Sequence, residues 1–323
     1  LAVLYKHFSK APAKQAPQRK FRQIRAEEEG RPKVSVATYN TLADLYARFH
    51  KSTPREFLTF EYRGPLLEQA VTSFRSDFIC LQEIDRYDDF YEPLLKSLGY
   101  ESVFAKRFGI KADGSVLAWK PQDWSLIQTK KIEFNQHPLA SSNTAYMRDN
   151  VAMLGLFKHK HTDRELIVAS GHLFWDPRFE FVKYAQAQMW LKEISILQSL
   201  SPSASIIVCG DFNSIPGSNV YRIMNGLPPN ETKNPEIKSL WTEGLPHLAS
   251  AYSDYNLGNH PPFTNLSNDF KAVLDYIFHS TDLIPISLSE TPTEEEGTKE
   301  VCLPNSVEPS DHIPLVAVLQ WNS

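Results

Sequence analysis

The sequence predicts an α/β protein built on more than one β-sheet. Apolar runs of strand length alternate with helical patterns early and late in the chain, while the middle is strand-rich with few helices between. Run after run ends abruptly on a carboxylate, an amide or an imidazole, and strand ends are where ligand groups converge in open α/β architectures. No short-period repeat is present and no linker interrupts residues 33–323, so that stretch is expected to be a single domain.

The elements follow in order. VSVATYN (34–40) alternates as a strand does and closes on polar residues. YRGPLLEQAVTSFR (62–75) reads as a helix, with Pro65 in its first turn and Leu66, Leu67, Ala70, Val71 and Phe74 on one face. DFICLQE (77–83) is a buried strand, and GSVLAWK (114–120), NVAMLGLF (150–157) and ELIVASGH (165–172) are further strands. FEFVKYAQAQMWLKEISILQSL (179–200) is the longest helical pattern. SIIVCGDFN (205–213), FKAVLDYIFHS (270–280) and PLVAVLQW (314–321) supply the last strands, and ETPTEEEGTKE (290–300) reads as a solvated charged loop.

The 323 residues are 42% hydrophobic and 22% charged, the balance of an ordinary globule rather than a disordered chain. A net charge of −4 excludes a protein that coats nucleic acid by bulk electrostatics, but not an enzyme holding a few nucleotides in one cleft. Cys80, Cys209 and Cys302 are odd in number and lack CxxC spacing, which points to a reducing, cytoplasmic compartment and no zinc site. No apolar stretch approaches the ~20 residues that span a bilayer. Residues 1–32 read as a basic, flexible tail, with seven Lys and Arg before the first acid, Glu27; a mitochondrial or other organelle-targeting segment is the alternative.

The chemistry lies in the strand-end residues Asn40, Glu83, His172, Asp211 with Asn213, Asp275, and Asp311 with His312. One such residue is usually just the turn after a strand; six events in one chain are a pattern. Glu83 and Asp311 are hard oxygen ligands suited to Mg²⁺, with Mn²⁺ as the alternative, and too few Cys and His accompany them for zinc. Phosphodiester cleavage needs positive charge at the phosphate, an activated water and a stabilised leaving oxygen. Asp211 suits proton removal from water, and Asn213 suits N–H donation to the phosphate. His312 needs an orienting acid from another strand, and Asp275 is the candidate. This reading requires Glu83 to lie within about 10 Å of Asp211 or His312, the span of one metal–phosphate assembly.

YNTLAD (39–44), ICLQE (79–83), GDFNSIPGS (210–218), LDYIF (274–278) and SDHIPL (310–315) resemble, in order, the signature blocks of the endonuclease/exonuclease/phosphatase superfamily. KADG (111–114), RDNVAML (148–154), HLFWDPRFEFVKYAQ (172–186), FTNLSNDFKAVLDYIF (263–278) and LPNSVEPSDHIPL (303–315) resemble its carbon catabolite repressor deadenylase, Angel and nocturnin branch. The resemblance implies a four-layer sandwich, two mixed β-sheets packed face to face and flanked by α-helices. It implies Glu83 as Mg²⁺ ligand, Asp211 as general base or water-orienting group, and His172, Asn213, Asp275 and His312 in the site, to which the strand-end pattern adds Asn40. It adds Lys111, Pro177, Asn265 and Phe270 as substrate-binding residues. Phe270 and Trp175 serve equally as base-stacking surfaces or as packing aromatics. Lys183 and Gln186 are placed to brace the His172 loop or simply to face solvent.

Three departures stand out. The WDP segment fits nocturnin poorly, Gly171 replaces a usual hydroxyl residue before the site His, and Ala272-Val273 replace a small Gly-Thr-like pair. No leucine-rich repeat is present in the chain. The resemblance implies a 3′-exoribonuclease that removes poly(A) and releases nucleoside monophosphates. The alternative is a phosphatase or phosphodiesterase acting on 2′-phosphate, 2′,3′-cyclic phosphate or 2′,5′-oligoadenylate. A second alternative is a non-enzymatic RNA-binding or scaffold protein of the same fold.

Overall fold

The computed structural model describes residues 14–230, 235–293, 295–296 and 302–322. One sheet has seven strands in the order β1 (Phe21–Gln23), β14 (Leu283–Ser289), β15 (Leu315–Trp321), β2 (Lys33–Asn40), β3 (Phe78–Gln82), β5 (Gly114–Trp119) and β4 (Glu101–Lys106). The other has six, in the order β10 (Leu248–Ser250), β13 (Asp275–Ser280), β9 (Ser205–Asp211), β8 (Glu165–His172), β7 (Val151–His159) and β6 (Trp124–Glu133). Each sheet is mixed, with one parallel pair, β2–β3 in the first and β8–β9 in the second. A short hairpin, β11 (Asn265–Leu266) with β12 (Lys271–Ala272), stands apart.

Strand periodicity sorts the apolar side chains into three layers. Val34, Val36, Phe78, Cys80, Val168, Ile207, Cys209 and Ile277 meet between the sheets. The alternate residues Ala37, Tyr39, Ile79 and Leu81 face the helix Phe60–Phe74. Ile167, Ala169, Ile206 and Val208 face the helix Glu180–Leu200 through Tyr184, Trp190 and Leu191. The order helix–sheet–sheet–helix is the four-layer sandwich expected.

The flexible-tail reading of residues 1–32 is corrected from residue 14 onward; residues 1–13 lie outside the described residues. β1 pairs Phe21–Gln23 antiparallel with Ser287–Ser289, Ala16 is buried, and Arg19 forms an ion pair with Glu308. Basic residues here find acids and a free strand edge, so they dock instead of waving in solvent. The helix read over 62–75 begins at Phe60, not Tyr62, which makes Pro65 internal instead of first-turn. Lacking an N–H, Pro65 cannot bond the carbonyl four residues back. Residues 270–280 form two strands, Lys271–Ala272 and Asp275–Ser280, instead of one. The 290–300 loop falls partly outside the described residues. Among those described, no helix is long and apolar enough to cross a membrane.

Candidate active site

Side-chain parity assembles the site. On β9, Ile207, Cys209 and Asp211 share the face between the sheets; on β13, Ile277 and Asp275 do; on β8, Val168 and His172; on β2, Val36 and Asn40. The inward apolar ladder of each strand therefore ends on a polar side chain pointing into the same gap. Register finishes the alignment: His172 pairs with Asp211 on β8–β9, and Asp211 with Asp275 on β9–β13.

Asn40 joins the sheets. Its Oδ1 accepts from Leu42 N at 3.1 Å, which turns Nδ2 toward the carboxylates. Nδ2 then donates to Glu83 Oε1 and to Asp211 Oδ2, each at 3.0 Å. The two carboxylate oxygens are thus at most twice that distance apart, well inside the required span. His312 Nδ1 meets Asp275 Oδ2 at 2.8 Å, and its Nε2 lies 3.7 Å from Asp211 Oδ2. Thr264 Oγ1 donates to the same Asp275 oxygen at 2.7 Å. His172 Nε2 lies 3.4 Å from Asp211 Oδ2. Glu83 and Asn213 both adopt left-handed backbone, with φ of 58° and 47°, a strain of order 1–3 kcal/mol each that clusters at working sites.

Electrostatics divide the two imidazoles. Burial disfavours the His312 cation, but Asp275, Asp311 and Asp211 together outweigh it and hold the ring protonated well above its ordinary range. Burial first, then Arg107 and His312, push His172 well below its ordinary range, so it is neutral. Asn213 Nδ2 lies 2.9 Å from His172 Nε2 and 3.1 Å from Leu173 O, which leaves its amide N–H groups engaged. As placed in this structure, the Asn213 amide orients His172. Burial raises both Glu83 and Asp211 to about 7, against hydrogen bonds from Asn40 and, for Asp211, the pull of His312.

The remaining expected residues divide. Asn265 is in the site, bonded through Nδ2 to Asp311 Oδ2 at 3.0 Å and bridged to His312. Phe270 is 49% exposed at the tip of the β11–β12 hairpin, so it is not a core aromatic. Pro177 is exposed on the loop that follows His172. Lys111 lies in a loop closed by its own N bonding Phe108 O at 3.3 Å and by Phe108 N bonding Asp149 O at 3.4 Å. Gln186 Oε1 accepts from Phe174 N at 2.9 Å and so braces the His172 loop, whereas Lys183 Nζ reaches Asn213 O at 2.6 Å.

Several supports carried no sequence signal. Arg63, buried inside the first long helix, donates to Thr41 O, Leu42 O and Pro309 O, tying the Asn40 loop to the His312 loop. Ser310 Oγ donates to Asn40 O at 2.7 Å, and Asn150 Nδ2 donates to His172 O at 3.0 Å. Gly171 has a packing reason. A Cβ there would sit 2.7 Å from the Trp190 ring and 2.8 Å from Ala152 Cβ, so the missing hydroxyl residue has no room. Gly171→Thr is expected to cost about 1–3 kcal/mol by overpacking, read as a lower urea midpoint at unchanged slope.

A divalent cation fits the donor set. Glu83 is raised partly by the charge of Asp311, and Asp311 Oδ1 is buried without a hydrogen-bond partner, two features that a cation between them relieves. Asp211, Asp275 and His312 also offer ligand atoms within 4.8 Å of one another. The His312–Asp275 bond already uses one atom of each. Because Glu83 and Asp211 are raised, the metal-free fold loses stability as pH climbs from about 4 through 7, and a bound cation recovers it. Added Mg²⁺ is expected to raise Tm by several degrees, roughly, at pH 8 and by little at pH 5.5. An equal rise at both pH values would contradict the ligand assignment.

Fold and site together define a metal-fitted, acid–imidazole–amide centre at the mouth of a β-sandwich. Residues 37–312 match the Endonuclease/Exonuclease/phosphatase family, and the chain belongs to it. Within that family its relatives fall in the carbon catabolite repressor, Angel and nocturnin branch. The chain is 33% identical over 311 residues to a probable CCR4-Not complex 3′-5′-exoribonuclease subunit Ccr4 of Enterocytozoon bieneusi, covering 90% of this chain and 64% of that one. It is 30% identical to the Ccr4 subunit of Candida albicans, covering 92% of this chain and 42% of that one. It therefore spans roughly two fifths to two thirds of these relatives' length. The crystal structure of ANGEL2, a 2′,3′-cyclic phosphatase, with adenosine-2′,3′-vanadate superposes with a TM-score of 0.80 at 27% identity, covering 95% of this chain and 99% of that one.

Proposed function

We propose that the chain is a Mg²⁺-dependent 3′-exoribonuclease that removes poly(A) and releases nucleoside monophosphates. The single observation that carries it is Asn40 Nδ2 bridging Glu83 and Asp211 at 3.0 Å each, beside the His312–Asp275 pair, in a relative of 3′-5′-exoribonuclease subunits. Glu83 and Asp311 would hold the Mg²⁺, which when bound supplies positive charge at the phosphate oxygens. Asp211 Oδ2 takes the proton of the attacking water, a role suited to a carboxyl raised to about 7. His312, kept cationic by Asp275, stabilises charge developing on the phosphate, and Asn40 fixes both carboxylates. Lys111, Pro177, Asn265 and Phe270 receive the terminal nucleotide. The three buried free thiols suit a cytoplasmic setting.

Labelled oligo(A) incubated with Mg²⁺ and with EDTA, followed by mass spectrometry, tests the reading. AMP ladders should form only with metal; equal products in both defeat it. The ANGEL2 superposition specifically favours a second reading, hydrolysis of a 2′,3′-cyclic phosphate at an RNA end. The catalytic groups address phosphate and not base, so a matched panel of oligo(A), 2′-phosphate, 2′,3′-cyclic phosphate and 2′,5′-oligoadenylate discriminates them.

A further inference from the structure

We propose that Arg148 and Trp175 form a nucleotide subsite, phosphate on the guanidinium and base on the indole, for a residue upstream of the one cleaved. The inference rests on the exonuclease reading for its substrate, but its evidence is separate. Arg148 stands two residues before Asn150, which holds His172 O, so it lies on the His172 side of the site. Its turn is rigid. Arg148 N and Asp149 N both donate to Asn135 Oδ1 at 2.9 Å, and Arg107 Nη2 donates to Arg148 O at 3.0 Å.

The guanidinium is held by rings instead of acids. It lies 4.7 Å from the Phe174 centroid and 4.6 Å from that of Phe179. Among the described residues it makes no ion pair and no side-chain hydrogen bond, and its Nε is buried without an acceptor. Asp176, the acid of the loop that carries Phe174 and Trp175, is bonded by Arg178 at 2.6 Å. A partly buried arginine supported by rings, with unpaired side-chain donors, suits a planar or tetrahedral oxyanion.

Trp175 completes the unit. It is 65% exposed, yet its ring stands 6.0 Å from Phe174, the ring that carries Arg148. Gln186 Oε1 accepts from Phe174 N at 2.9 Å, which anchors the backbone that carries both rings. An exposed aromatic beside an unpaired cation is the combination by which single strands are held without base-edge readout. At a net charge of −4 the chain has no bulk attraction for a nucleic-acid strand, so local cations must supply it.

The test uses a ten-nucleotide oligo(A), with KM and kcat from Mg²⁺-dependent hydrolysis and affinity from fluorescence anisotropy, each between 50 and 200 mM KCl. Arg148→Gln is expected to raise KM and Kd about tenfold and to flatten the log-affinity salt slope by about 0.7, the value of one phosphate contact on a single strand. Arg148→Lys should restore the slope, and Trp175→Ala should weaken binding without changing it. Wild-type KM, Kd and slope in Arg148→Gln would overturn the subsite. So would a loss in Arg148→Lys equal to that in Arg148→Gln, which would mean that Arg148 only packs. Binding that depends on Arg148 in a protein releasing no AMP would keep the subsite and overturn the exonuclease reading.

Discussion

Replacing Glu83 by Ala is expected to lower kcat/KM for oligo(A) by at least about a thousandfold and leave the fold intact. Loss of a metal's charge at the phosphate is worth several kcal/mol in the transition state, and each 1.36 kcal/mol is tenfold. Glu83 contributes little to stability in return. Its carboxyl, raised to about 7 by burial and by Asp311, is a poor tenant of a metal-free site above neutral pH. The hydrogen bonds it accepts from Asn40 Nδ2 and Ala43 N, at 3.0 Å each, are the offsetting loss. Tm without metal should therefore move by only a few degrees, while the Mg²⁺-induced rise disappears. Retained turnover in Glu83→Ala discredits the ligand assignment. Lost turnover with an intact Mg²⁺ response moves the metal to other carboxylates.

What was legible in the sequence follows burial. Strands such as Phe78–Gln82 and Ser205–Asp211 are covered on both faces, so they read as continuous apolar runs that stop at a polar residue. β4 and β6 were silent because they are sheet edges: most of Ser125–Lys131 faces solvent, and no apolar alternation is required. β14 carries Pro285 at a bulge, which disguised it further. Among site residues, those on the ends of inward ladders were readable because period-two parity fixes their direction. Arg63 and Thr264 were not, since each acts through backbone or side-chain oxygens brought from distant segments. The Asn213 contacts were unreadable for a similar reason. Its spacing from Asp211 was visible, but the prior claim on its amide by His172 and Leu173 was a tertiary fact.

The Asp275→Asn variant should show kcat reduced by about 10² to 10⁴ with the site's shape preserved. Asp275 Oδ2 meets both His312 Nδ1 and Thr264 Oγ1, and its Oδ1 is buried without a partner. An Asn amide can present its oxygen to both partners and its nitrogen to the orphan position, so the substitution removes charge more than hydrogen bonds. Without that charge, burial regains control of His312, and its cation is lost at lower pH. The alkaline limb of kcat should accordingly move to lower pH. Stability follows the same sign. A His whose folded pKa is raised stabilises the fold fully below its unfolded value near 6.5 and loses that contribution as pH rises through the folded value. The gap between wild type and variant, about 3 kcal/mol for an uncompensated buried ion, should therefore be largest near pH 6 and shrink at pH 9. Urea titrations at the two pH values, beside the pH–rate profile, read both effects. An unmoved alkaline limb would mean that His312 acts uncharged, and the assignment of Asp275 as its counter-ion would be withdrawn.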